Sequence, residues 1–129
     1  THLCKRIIAE LPENIAFHFV AEDLTSQALR LLVAKLHFLI ASRFHSMISA
    51  LDRGVPVLTI GWGDQKYIEV LNVYEMGELY VDYSDASLHL IREKLDLIEA
   101  NRPDIDERLA RGNLINQSKL QKNYENLLQ

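Results

Sequence analysis

The chain reads as an α/β domain with a parallel sheet and helices on both faces, and three observations predict that class. Short apolar runs at Phe38-Leu39-Ile40-Ala41 and Pro56-Val57-Leu58-Thr59-Ile60 have the length and composition of strands buried on both faces. Around them apolar residues recur at three- and four-residue spacing, the period of helices packed along one side. Glycine, proline and cap residues punctuate the junctions, among them Ser42, Gly54, Pro56, Asp64 and Gly77. Strands and helices alternating at this pitch imply βα units, and such sheets bind ligands beyond the carboxyl ends of their strands.

Taken in order, Leu3, Ile7, Ile8 and Leu11 have helical spacing and stop at Pro12. Residues 15–20 (Ile-Ala-Phe-His-Phe-Val) then alternate as a first strand. Thr25 is an N-cap for a helix over 26–35, with a staple from Leu24 to Leu29 and a buried stripe of Leu29, Leu32, Val33 and Leu36. Residues 37–41 form a second strand that meets a helix without a linker: Phe44, Met47, Ile48 and Leu51 repeat at i, i+3, i+4 and i+7, and Gly54 closes it as the residue after the cap. Residues 56–60 return as a third strand. After the loop Gly61-Trp62-Gly63-Asp64, Asp64 caps a helix that runs through Met76 to Gly77, and residues 79–81 form a fourth strand. Ser84 or Asp85 caps a helix with Leu88, Ile91, Leu95 and Ile98 on one face. Asn101-Arg102-Pro103 breaks it, and a helical segment over 103–129 ends the chain. The whole is expected to be one Rossmann-like domain over residues 1–129, with a strand that would lead the sheet missing from it.

The 129 residues suffice for one core, and 48% hydrophobic with 25% charged residues is an ordinary globular composition. A formal net charge of -4, with no stripe of lysine and arginine, argues against a nucleic-acid partner, so any anion site must be local. Cys4 stands alone, which forbids an internal disulfide or a thiolate metal cluster and is compatible with a reducing compartment. No apolar run approaches a membrane span and no signal peptide opens the chain, so a cytoplasmic protein is expected. The start without methionine, inside an amphipathic stretch, points to a piece of a longer protein.

The chemistry concentrates where the second strand becomes a helix. Ser42 as N-cap would leave the first helical N–H groups pointing outward at the positive end of the helix dipole, with Arg43 and His45 among them, an arrangement that favours an anion. The plainer alternative is that Arg43 and His45 shield a helix end. The loop from Gly61 to Lys66 follows the next strand and faces the same edge. It matches neither the Walker phosphate loop nor the dinucleotide glycine pattern, and an ordinary βα turn explains it as well. Trp62 is a sugar-stacking platform or, more commonly for such a residue, a loop-packing aromatic. His18 and His37 lie in strand patterns and read as structural. His2 and His89 are isolated, no spacing suggests a metal, and Ser46 and Ser49 lack a nucleophile-elbow context.

Leu39-Ile40-Ala41-Ser42-Arg43-Phe44-His45-Ser46-Met47-Ile48-Ser49-Ala50-Leu51, then Gly54-Val55-Pro56-Val57, then Lys66 after a glycine-containing loop, resemble the C-terminal domain of the polysaccharide pyruvyl transferase family. The likeness is at motif level over residues 38–66 and architectural elsewhere. It implies the C-terminal half of a two-domain enzyme of the glycosyltransferase B type, a transferase that moves pyruvate from phosphoenolpyruvate to a sugar of a cell-surface or exopolysaccharide glycan as a ketal. The family's Arg-x-His element falls on Arg43 and His45, with Phe44 between them, and its basic loop residue on Lys66. The implied substrate-binding set is Ser42, Arg43, Phe44, His45, Gly61 and Lys66, and the implied catalytic residue is His45, acting in proton transfer or only as a phosphate ligand. No cofactor or metal is implied, because phosphoenolpyruvate enters as donor substrate. Implied partners are a glycan or lipid-linked sugar acceptor, met in the cytoplasm or at the inner face of the membrane, and a missing N-terminal domain without which the fragment is inactive. The alternatives are the C-terminal half of a nucleotide-sugar glycosyltransferase or epimerase, and a non-catalytic interaction domain.

Overall fold

The computed structural model describes residues 2–129. Its centre is a three-stranded parallel sheet in the order β1 (Leu39–Ala41), β2 (Val57–Gly61), β3 (Tyr80–Asp82). Leu39 pairs with Val57 and Thr59 with Tyr80, so each strand lies beside its successor in sequence. Six helices accompany the sheet among the described residues: α1 (His2–Glu10), α2 (Ser26–Val33), α3 (Phe44–Asp52), α4 (Gln65–Val73), α5 (Leu88–Ala100) and α6 (Arg102–Leu127). The fold is therefore mixed α/β with a small parallel sheet.

One expected strand is absent. Among the described residues, 15–20 pair with no strand, and the sheet has three strands where the sequence predicts four. Period-two alternation marks a half-buried extended segment without saying what it is buried against. Here Phe17 and Phe19 share a cavity of about 210 Å³ with Cys4, Ile7, Ile8 and Leu11, so the segment lies against α1 instead of against β1. That packing is loose: α1 buries no residue, and Phe17 stays 54% exposed.

The core gathers Ala41 and Val57 from the sheet, Met47, Ala50 and Leu51 from α3, Leu71 from α4, Ile98 from α5, and Ile105 and Leu109 from α6. These side chains supply most of the favourable free energy, at roughly 1.5–3 kcal/mol for each large apolar group fully withdrawn from water. α5 begins past the carboxyl end of β3 and finishes near the amino end of β1, where Glu99 meets His37 at 2.6 Å and Arg102 donates to the His37 carbonyl at 2.6 Å. α6 is fastened along its first half. Tyr74 donates to Asn113 Oδ1 at 2.8 Å, Asn113 Nδ2 donates to the Leu51 carbonyl at 3.0 Å, and Gly112 lets the Tyr74 ring lie against the helix backbone.

Helix ends follow local chemistry, with three departures from expectation. α3 closes as predicted: Gly54 takes φ +72°, the Val55 N–H donates to the Ala50 carbonyl and the Gly54 N–H to Leu51. α4, predicted to run to Gly77, stops at Val73 because Glu75 takes the left-handed conformation at φ +55°. Arg108 donates to the Glu75 carbonyl at 2.7 Å and Arg111 pairs with its carboxylate, contacts from α6 that offset the strain of a side chain in that region. α5 is capped by Ser87, which accepts from Leu90 N at 3.1 Å, and not by Ser84 or Asp85, which belong to a short turn. Ser42 is likewise not the N-cap of α3. That position falls to Arg43, because Ser42 and Arg43 are both needed to turn the chain from strand to helix.

A candidate anion-binding site

Three helices have conventional starts. Thr25 caps α2, Asp64 caps α4 by accepting from Lys66 N at 3.1 Å, and Ser87 caps α5. α3 does not. Arg43 at its N-cap has no acceptor atom to offer, and the first intrahelical bond runs from Met47 N to the Arg43 carbonyl at 3.1 Å. The N–H groups of Phe44, His45 and Ser46 thus lack acceptors within the helix or from its cap, and the helix dipole adds positive potential where they point.

Those residues open onto a cavity of about 440 Å³ at the carboxyl edge of the sheet, lined by Ser42, Arg43, Phe44, His45, Ser46, Trp62 and Tyr67. Its lining contains an arginine and a histidine and no carboxylate, in a chain whose net charge is -4. Among the described residues Arg43 makes no ion pair, so its guanidinium has all its donors free. Tyr67 fixes the wall: its hydroxyl donates to the Ser42 carbonyl at 3.2 Å, tying α4 to the turn before α3. The Phe44 ring stands edge-to-face to Tyr67 at 5.4 Å and to His45 at 5.9 Å. These contacts hold the start of α3 in place with its N–H groups outward, an arrangement suited to a phosphate or carboxylate.

Four of the six substrate-binding residues implied by the resemblance, Ser42, Arg43, Phe44 and His45, line this one cavity. Gly61 and Lys66 do not. A Cβ at Gly61, the end of β2, would stand 2.7 Å from the Tyr80 ring, so glycine lets that ring lie across the strand end. The Lys66 ammonium pairs with Asp64 at 3.3 Å and lies 5.1 Å from the Phe44 ring centroid. Trp62 does line the cavity, yet it is 64% exposed and its one aromatic partner is Tyr83. Tyr67 and Tyr83 carry no motif of their own. Their only signal is that successive βα loops meet at one edge of a parallel sheet.

No family model, curated protein or solved structure matches the chain. Among the described residues no helix is long and apolar enough to cross a membrane.

Proposed function

We propose that the chain is the donor-binding half of a polysaccharide pyruvyl transferase, a Rossmann-like domain of the glycosyltransferase B type that holds phosphoenolpyruvate in the cavity at the start of α3. The observation that carries the reading is the convergence of an uncapped helix start, Arg43 and His45 on one carboxylate-free cavity. Phosphoenolpyruvate has two anionic groups. The guanidinium takes one bidentately, and the N–H groups of Phe44, His45 and Ser46 take the other.

The reaction joins one donor and one sugar diol and releases inorganic phosphate. One hydroxyl adds to C2 of the donor and gives up its proton as C3 takes one and becomes the methyl group; the second hydroxyl then displaces phosphate from C2, and its proton ends on the released phosphate. Charge builds on the departing phosphate, where fixed N–H donors and Arg43 oppose it without reorganisation. An imidazole can both give and take a proton, and His45 lies beside that group, so it is the residue of this chain suited to move one. The acceptor, a glycan or lipid-linked sugar, is completed by contacts from the other half of the enzyme.

Calorimetric titration of this chain with phosphoenolpyruvate, alongside a uridine diphosphate sugar, tests the proposal. Saturable binding of phosphoenolpyruvate that is lost in Arg43→Ala supports it. Binding of the nucleotide sugar with none of phosphoenolpyruvate assigns the cavity to a glycosyltransferase or epimerase half instead, and no binding of either favours a non-catalytic interaction domain.

A further inference from the structure

We propose that Trp62 and Tyr83 together form the platform on which the pyranose ring of the acceptor stacks, next to the donor cavity; this assignment of the sugar rests on the reading above. The two rings are 5.5 Å apart at 22°, a near-parallel stack, and they are 64% and 61% exposed. Large aromatic faces are normally covered in a folded protein, and here the rings cover only each other. Trp62 also lines the cavity that holds Arg43 and His45, which sets the indole beside the anion site.

The platform is held from below. Tyr80 lies across Gly61, and its hydroxyl accepts the Gly63 N–H at 2.8 Å, which fixes the loop carrying Trp62. Asp82 accepts the Ser84 N–H at 3.0 Å and the Ser84 hydroxyl at 2.6 Å, both through Oδ1, which fixes the turn carrying Tyr83. Its other oxygen, Oδ2, faces the Trp62 loop, 3.5 Å from where a Gly63 Cβ would stand. The Ser84 side-chain bond, and then the Ser84 backbone bond, hold the Asp82 carboxyl below its usual range, so it is ionised at neutral pH. An aromatic face beside an ionised carboxylate matches a sugar ring, whose C–H face stacks on apolar surface while its hydroxyls donate to a fixed acceptor. A nucleotide fits this edge less well, because its phosphates would approach Asp82 and Asp64.

Trp62 is the only tryptophan, so its emission reports on this platform alone. The chain is titrated with methyl β-glucopyranoside and methyl β-galactopyranoside, and separately with phosphoenolpyruvate by calorimetry. A saturable change in emission with at least one glycoside is expected. Tyr83→Ala should weaken that glycoside about fivefold and leave phosphoenolpyruvate affinity unchanged. Trp62→Ala, followed by calorimetry, should abolish the glycoside heat. No saturable response into the ~100 mM range, with phosphoenolpyruvate still bound, overturns the platform and leaves the donor reading standing. Glycoside binding without phosphoenolpyruvate binding does the reverse. Uridine monophosphate quenching Trp62 at lower concentration than either glycoside also overturns the proposal, in favour of a base-stacking site.

Discussion

Substituting Gly112 by alanine sets two effects of opposite sign against each other. Gly112 lies inside α6, where alanine is favoured over glycine by about 1 kcal/mol on helix propensity. At this position, however, a Cβ would stand 2.8 Å from Tyr74 Cε1 and closer still to Cδ1. Tyr74 is 4% exposed, so its ring has no free space to enter. Displacing it costs about 1–3 kcal/mol of overpacking. The move also strains the bonds joining Tyr74 to Asn113 and Asn116, and Asn113 to the Leu51 carbonyl, each worth about 1 kcal/mol. The net expectation for Gly112→Ala is a loss of roughly 2–4 kcal/mol, which lowers the urea midpoint by on the order of 1–2 M. Urea unfolding followed by circular dichroism measures it. In a Tyr74→Ala background the clash is gone, and the same substitution should become neutral or stabilising. A higher midpoint for Gly112→Ala alone would falsify the docking of α6 through Tyr74.

Three further outcomes are expected. On the proposed pyruvyl transferase reading, Arg43→Ala in the full-length protein should weaken phosphoenolpyruvate by roughly 10- to 100-fold while His45→Ala should lower the single-turnover rate by about a hundredfold or more, because the charged contact exists in ground and transition states and proton transfer only in the latter; an unchanged saturated rate in His45→Ala makes it a phosphate ligand only. Burial raises the Tyr74 hydroxyl above its ordinary 10.0, so its contribution to stability is complete below about pH 10 and is lost as pH rises through the folded-state value; Tyr74→Phe should flatten the alkaline limb of a stability-against-pH curve, and an unaltered slope refutes the assignment. Thr59 Oγ1 is fully buried and has no hydrogen-bond partner among the described residues, so Thr59→Val should raise stability by about 1 kcal/mol in urea unfolding, whereas a loss of that size would show that the hydroxyl is satisfied.

How far the sequence foretells this molecule depends on how local each cause is. The β1, β2 and β3 runs, the Gly54 stop and the Asp64 cap are set by neighbours within a few residues, and each was legible. The helical stripes were legible only in part: α3 buries Met47 and Leu51 but leaves Ile48 exposed, and α2 buries Val33 but leaves Leu29 and Leu32 exposed. Spacing marks an apolar side without saying what packs on it. Glu75 was not, because a glycine two residues on is the better local candidate and the arginines that hold Glu75 come from α6. The segment 15–20 has the alternation of a strand, and what it packs against is α1. At the site, Ser42 has the right chemistry for a cap, yet the turn needs one residue more, and that single step leaves α3 without a side-chain cap. The pairing of Trp62 with Tyr83, and the Tyr67 bond to Ser42, depend on loops brought together only by the sheet, and no periodicity announces them.

The placement of Ile105 and Leu109 in the core bears on the order in which the chain can fold. β1, α3, β2, α4 and β3 are contiguous in sequence, and each strand pairs with the next across a single crossover helix, so this unit can assemble without any later part of the chain. Yet the apolar faces of Met47, Leu51, Leu71 and Met76 are fully covered only once α5 and α6 contribute Ile98, Ile105 and Leu109. During synthesis the sheet and its crossover helices leave the ribosome before α5 and α6 and wait with that surface exposed until those helices arrive. Cooperative folding is thereby tied to completion of the carboxyl-terminal third, and a nascent chain stalled before α6 is the species most exposed to aggregation and to chaperone capture.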